Sequence, residues 1–286
     1  MTEEVIDTLA TSAGHSLSNL EQLDGHYAVC QLEYEAMLRS VGLQPGWCVL
    51  DAGCGVGGFL PLLSQLVGST GQIHAVDLAP ENIALVQARQ EAGVFACPIE
   101  AKVSTVSLLP FADDQFDAIW CANVTQYLTD AELGAMLAEF RRVLKPGGLL
   151  GLKEFTIMNW LYQPLDPLLM ARLWLAQVEE GDAYTQQALR AIDLPAWVRQ
   201  SGFQLVQANT VLIERRQPLR GIERAFFQGI FGFLASVAAG NGRLSSQDRA
   251  TWQQLTNFAS PAHILNHPDF YSQEGSLMIV AQSSAE

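Results

Sequence analysis

Positive charge is scarce in this chain. Sixteen Lys and Arg stand against 30 Asp and Glu, a formal net charge of −14. A field of that sign repels phosphates, so a DNA or RNA partner is not expected, and the acidity reads as a solubility device. Cysteine is sparse too. The five (Cys30, Cys48, Cys54, Cys97, Cys121) show neither paired nor metal-ligand spacing. An odd number of thiols in apolar segments points to reduced, buried side chains and a cytoplasmic protein. The opening stretch MTEEVIDTLATSAG is acidic and has no apolar run, which argues against a signal peptide. The most apolar stretch, residues 225–240, reads as too short and too interrupted by glycine to span a membrane. Internal repeats and low-complexity tracts are absent. Apolar residues are plentiful at 49%, enough for an ordered core. A length of 286 residues suits one α/β domain with insertions, or one domain and a small cap.

Strand-like and helix-like patterns alternate along the first half. Residues 47–51, 73–77 and 116–121 read as strands, and residues 59–67 and 80–91 as helices, the second opened by Pro80. A capping box, Thr129-Asp-Ala-Glu132, starts a further helix. Its apolar stripe is Leu133, Met136, Leu137, Phe140, Val143 and Leu144. Lys145-Pro-Gly-Gly148 ends it and leads into a strand over 149–155. Such alternation predicts a doubly wound, mostly parallel α/β sheet. The rhythm then breaks. Residues 158–190 look helical, 191–202 resume the expected helix and 203–213 a strand. Residues 217–270 form a second helical insertion, and 276–282 close the fold.

The strand at 47–51 runs into Val49-Leu-Asp-Ala-Gly-Cys-Gly-Val-Gly-Gly58, where Gly53, Gly55 and Gly58 fit G-x-G-x-x-G. Glycines there allow a tight turn and close approach to a ligand, but a plain strand-to-helix turn would look the same. Asp51, two residues before the first glycine, is informative. A dinucleotide pyrophosphate would be repelled by it, whereas a cationic ligand would be attracted. Asp77 closes the second strand, where a carboxylate can accept from ribose hydroxyls. That feature is shared by several nucleotide-binding classes.

VLDAGCGVGG, HAVDLAP, LPFADDQFDAIW and RVLKPGG occur in this order. Together they resemble the class I S-adenosylmethionine-dependent methyltransferases, in particular the ubiquinone/menaquinone-biosynthesis C-methyltransferases and their natural-product relatives. The resemblance covers roughly residues 45–155. It implies a Rossmann-like fold whose last strand is antiparallel, and S-adenosyl-L-methionine as cofactor. Asp51, Gly53 and Gly55 would line its methionine part, Asp77 would hold the ribose, and Leu78 would lie against the adenine. The segment Cys121 to Asn123 would sit near the sulfonium. One position departs: the acid that accepts from the adenine amino group in such families is Thr105 here, an uncharged substitute.

Other residues carry weaker signals. His74 reads as a core histidine. His15 and His26, with Tyr27 and Tyr34, precede the matching region, where an N-terminal helix could cover the cofactor; packing on a helix face is the plainer role for the tyrosines. His263 and His267 have metal-ligand spacing, but Pro268 follows and no companion ligands occur, so no metal is expected. Glu154 and Lys153 end a strand at the edge where ligands gather, and only one of two neighbours can face the site. The Asn/Asp-Pro-Pro-aromatic motif of nucleic-acid and protein N-methyltransferases is missing.

These readings divide the chain into a cofactor-binding core (1–157 with 191–216 and 271–286) and a helical cap (158–190 and 217–270). Inward aromatics are expected at Trp160, Tyr162, Trp174, Phe226, Phe227, Phe231 and Phe233, with Leu169. They imply a bulky, apolar small-molecule acceptor, methylated on carbon or oxygen. Glu154, Tyr127, His263 and His267 are the candidate acid/base groups, joined by Tyr162. The same apolar faces would also serve a homodimer. The alternative is a protein of the same fold that uses the cofactor for another reaction, such as a cyclisation.

Overall fold

The computed structural model describes residues 20–284. The acidic N-terminal stretch and His15 lie outside them. At the centre is β1 (Cys48–Ala52), whose last four residues are buried. It pairs in parallel with β2 (Gln72–Asp77) on one side and β4 (Phe116–Ala122) on the other. β3 (Ile99–Val103) adds a parallel edge beside β2, and β5 (Leu144–Gln163) lies beside β4. β7 (Tyr271–Ser283) then runs antiparallel between β5 and β6 (Phe203–Arg216). The order β3-β2-β1-β4-β5-β7-β6 makes a seven-stranded sheet, reversed only at its last strand. This is the doubly wound α/β fold expected from the alternating pattern.

Both faces are covered. On one, α4 (Asp130–Val143) buries Leu133, Met136, Leu137, Phe140 and Val143, the stripe read from the sequence. Its capping box is formed: the Thr129 hydroxyl accepts from the Glu132 N–H, and the Glu132 carboxylate accepts from the Thr129 N–H at 2.8 Å. α7 (Leu194–Gln200) shares that face. On the other lie α1 (Leu20–Ser40), α2 (Leu60–Val67) and α3 (Pro80–Glu91), joined by helices from the second half.

The second half departs from its expected pattern at three places. Residues 158–163 are strand, not helix. β5 continues through them because β7 begins early, at Tyr271, and pairs Leu161 with Gln273, Tyr162 with Ser272 and Gln163 with Tyr271. A bulge between Thr156 and Leu161 makes this extension. Opposite it is Gly275, where a Cβ would come within 2.3 Å of the Thr156 hydroxyl and 2.5 Å of Asn159. The helices of this region are therefore α5 (Leu169–Glu180) and α6 (Ala183–Leu189). Next, α8 (Gly221–Gly240) has 20 residues and α9 (Ser246–Gln254) follows it. By length and composition α8 could cross a membrane, so the argument from shortness does not hold. In the fold α8 buries Phe226, Phe227, Ile230, Phe231, Leu234, Ala235 and Ala238 within a core cluster. Finally, residues 190–193 form a separate short helical turn before α7, which begins only at Leu194.

Candidate active site

The turn between β1 and α2 is held closely by its neighbours. Gly53 and Cys54 N–H both donate to the Val76 carbonyl, at 2.8 and 2.9 Å. Gly53 has φ +74°, and a Cβ there would strike Val124 at 2.3 Å. Only glycine suits that position, for backbone and for space. Farther along the turn, Gly57 rather than Gly58 takes the left-handed conformation, at φ +82°.

Asp51 is the next-to-last residue of β1, just before this turn, and does not itself line the cavity described below. It is buried, and its Oδ2 has no hydrogen-bond partner among the described residues. Burial, then the charge of Asp77, push its carboxyl up to about 8. Such a group is stable only if neutral, or if a ligand supplies a cation. Asp77 ends β2 and lines the adjoining cavity. Its Oδ2 accepts from Gly55 N–H at 2.8 Å, and its Oδ1 accepts from Ala79 N–H and the Asn82 amide at 2.9 and 3.0 Å. The carboxylate is thus fixed, with lone pairs left for ligand hydroxyls. Next to it Leu78 stays 47% exposed, an apolar side chain open to a flat ligand. Thr105 also lines the cavity, and its Oγ1 accepts from Ser107 N–H at 3.2 Å. An orphaned carboxylate, a fixed hydroxyl acceptor and a glycine pressed against its neighbour suit a nucleoside ligand that carries positive charge.

The cavity has a volume of about 220 Å3 and reaches from the glycine turn to α1, α5 and α8. Of the sites expected near the sulfonium, Asn123 lines it and Cys121 does not. β4 alternates, so Cys121 points into the core on the other face and Ala122 takes the cavity side. Asn123 itself has φ +58°, a left-handed conformation that asparagine tolerates better than most residues. Its N–H donates to the Lys153 carbonyl at 2.8 Å, and its Oδ1 accepts from Lys153 Nζ at 2.7 Å.

Neither Lys153 nor Glu154 lines the cavity. Lys153, one of three lysines in the chain, is fully buried, with its ammonium 3.9 Å from the Tyr34 ring centre. Burial lowers its pKa, partly opposed by the charges of Glu274 and Glu154. Glu154 does other work. Its Oε2 accepts from the Thr125 N–H and hydroxyl at 2.8 and 2.7 Å, which ties the loop after β4 to β5. Burial raises its pKa, and the Thr125 hydrogen bonds oppose the rise.

The other candidate bases scatter. Tyr127 lines the cavity beside Tyr184, but burial and then Glu154 raise its phenol, which makes it a poor base. His263 is buried away from the cavity: Nε2 donates to the Leu255 carbonyl and Nδ1 accepts from Leu265 N–H. Its role there is to close a turn. His267 is exposed, and its Nδ1 accepts from Asp269 N–H. His263 and His267 flank one short helical turn, so their spacing of four does not place them on a shared helix face. Tyr162 is buried 4.8 Å from Phe231, centre to centre, and does not reach the cavity. Among the expected inward aromatics, Trp160, Trp174, Phe226 and Phe233 line it, while Phe227 and Phe231 pack with Tyr162 in the core.

One polar cluster on the cavity wall was not anticipated. His26 and Tyr34 from α1 meet Glu274 from β7, with His26 Nε2 at 3.0 Å from Glu274 Oε1 and 3.1 Å from the Tyr34 hydroxyl. His26 and Glu274 are 248 positions apart, so local pattern carried no trace of the pair.

Comparison with known proteins bears on this geometry. Residues 49–148 match the family model described as a methyltransferase domain. A 2-phytyl-1,4-naphthoquinone methyltransferase of Trichormus variabilis is 34% identical over 164 residues, 54% of this chain and 69% of that protein. A sterol 24-C-methyltransferase of Gibberella zeae is 34% identical over 176 residues, 59% of this chain but 43% of its own length. Among solved structures, the YcgJ protein of Bacillus subtilis superposes with a TM-score of 0.56 at 19% identity, covering 91% of this chain and 99% of that one.

Proposed function

Because the chain belongs to the class I S-adenosylmethionine-dependent methyltransferases, we propose that it methylates a bulky, largely apolar small molecule on carbon or oxygen. The observation that carries this reading is the buried Asp51 carboxylate, its Oδ2 without a partner among the described residues, directly behind Gly53, Cys54 and Gly55, which line a cavity whose far walls are aromatic. When bound, S-adenosyl-L-methionine supplies a methyl group activated by a sulfonium. Asp51 offsets its positive charge. Asp77 holds the ribose hydroxyls, Leu78 and Thr105 meet the adenine, and Asn123, fixed by Lys153, borders the methyl end. The aromatic walls orient the acceptor and exclude water, which is most of what an in-line displacement requires of a protein.

Among the described residues the core would comprise 20–163, 191–216 and 271–284, six residues more at 158–163 than the sequence pattern gives, because these extend β5. The segments 164–190 and 217–270 would form the cap, from which α5 brings Trp174 and α8 brings Phe226 and Phe233 to the cavity. The two curated relatives are named for a phytylated naphthoquinone and for a sterol, both large and apolar. A nucleic-acid acceptor suits neither the net charge of −14 nor the apolar walls. Five free thiols suit the cytoplasm, and a soluble role suits the packing of α8 into the core.

The test is transfer of labelled methyl from S-adenosyl-L-methionine into solvent-extractable product, across a panel of prenylated quinols, phenols and sterols. Label should appear with at least one lipophilic acceptor and be lost with Asp77→Ala. Cofactor binding without label in any product would favour the cyclase-type alternative.

A further inference from the structure

The cluster at His26, Tyr34 and Glu274 runs from the cofactor end of the cavity, where Lys153 touches both Asn123 and the Tyr34 ring, to its far wall. The cofactor residues sit at the ends of β1 to β4, whereas Glu274 lies on β7, two strands beyond β4. At strand spacing that is about 10 Å across the sheet. A ligand group that reaches His26 and Glu274 lies beyond Asn123, on the side left for the acceptor.

Its chemistry is that of a proton acceptor. Burial alone would raise the Glu274 carboxyl, but the hydrogen bond from His26 Nε2 at 3.0 Å, the Lys153 ammonium and the Tyr34 hydroxyl favour its ionised form whether or not the ring carries a second proton. An ionised Glu274 makes Nε2 of His26 the hydrogen-bearing nitrogen. Nδ1, with no partner among the described residues, is then left to accept a proton. The ring is fixed from a third direction: Phe226 stacks on it at 5.3 Å with planes 7° apart. His26, Cys30 and Glu274 together offer three metal-ligating atoms within 4.8 Å of one another. A cation there would face Lys153 and Arg215, whose charges already act on Cys30, and burial holds that thiol protonated. The site suits proton transfer better than metal binding.

Building on the methyltransfer reading, we propose that His26, oriented by Glu274, is the general base that deprotonates a hydroxylated aromatic acceptor. Flat ring faces dominate the surroundings: Phe226 is stacked on His26, and Trp160 and Trp174 are stacked on each other at 6.0 Å. These are surfaces on which a planar ring packs well. In the reaction the hydroxyl proton passes to Nδ1 of His26. The acceptor oxygen forms its bond to the methyl carbon as the carbon–sulfur bond of the sulfonium breaks, and its electron pair stays on sulfur. The imidazolium is stabilised by Glu274 until it releases the proton to solvent.

The probe is para-nitrophenol, whose anion absorbs visibly. It is mixed with protein saturated in S-adenosylhomocysteine, in buffer one unit below the phenol's own pKa, where about a tenth of the free phenol is ionised. Bound probe should be mostly anion, so absorbance should rise several-fold at saturation. The rise should disappear in His26→Gln and in Glu274→Gln and return in part in Glu274→Asp, with near-ultraviolet dichroism confirming that each variant is folded. If wild-type protein binds S-adenosylhomocysteine but leaves the absorbance unchanged, or if His26→Gln gives an equal rise, the inference is overturned while the methyltransfer reading stands. Failure to bind S-adenosylhomocysteine would overturn the methyltransfer reading itself.

Discussion

Asp51 on β1 is buried close enough to Asp77 on β2 for the second charge to raise the pKa of the first. Asp77 is held by the N–H groups of Gly55 and Ala79 and by the Asn82 amide, none of them cationic. Asp51 has an oxygen with no partner at all among the described residues. Two carboxylates on neighbouring strands are thus arranged for a cation that comes from outside. A fold pays in stability for such a site, and the cost is measurable.

The first prediction concerns that cost. Asp51 moves from 3.8 to about 8 on folding. Between those values the folded chain holds a proton that the unfolded chain has lost. Stability therefore falls as pH rises through this window, and the loss is complete above it. Asp51→Asn removes the titration. In the absence of ligand its melting temperature should exceed that of the wild type, by a margin that widens from pH 5 to pH 8. A constant margin would show that Asp51 does not titrate in this range.

Asp77→Ala should weaken cofactor binding. It removes the acceptor for ribose hydroxyls and frees the Gly55 and Ala79 amides. Loss of hydrogen bonds to a charged group costs about 1.5–3 kcal/mol, so cofactor affinity should fall roughly ten- to a hundredfold. Fluorescence titration with S-adenosylhomocysteine checks this.

Thr105 accepts from Ser107 N–H, as an aspartate at the same place could. Thr105→Asp would add charge and a free oxygen for the adenine amino group. Affinity should rise several-fold, by about the difference between a neutral and a charge-assisted hydrogen bond. Weaker binding would show that the adenine does not approach this position.

Glu154 is assigned to the loop, not to the chemistry. Glu154→Ala strips both hydrogen bonds from Thr125 and should cost about 1–3 kcal/mol of stability for the donors left unpaired. The probe ionisation described for His26 should survive. Loss of that ionisation in a folded Glu154→Ala protein would return Glu154 to the candidate bases.

The sequence made the first half legible because its signals are local. A capping box, a helical stripe and a glycine turn each lie within about 15 residues. β3 escaped notice because it alternates Ile99 and Ala101 with Glu100 and Lys102 and is mostly half-exposed, leaving no apolar run. Residues 158–163 looked helical because Trp160 and Tyr162 suit either element. Their pairing with residues 271–273 decides the matter, and that contact spans more than a hundred positions. Motif order singles out Gly53, Gly55, Asp77, Leu78, Thr105 and Asn123, which line one cavity, along with Asp51 and Cys121, which do not. The wall formed by His26 and Glu274 was not legible, since a helix near the start and a strand near the end carry no shared signal.

The most direct measurement is calorimetric titration with S-adenosyl-L-methionine at pH 7, repeated in buffers of different ionisation enthalpy. Free Asp51, with a pKa of about 8, is mostly protonated there, and a bound cation should drive the proton off. The account predicts binding with release of close to one proton in the wild type, and weaker binding without release in Asp51→Asn. No binding, or equal affinity and equal buffer dependence in the two proteins, would contradict it.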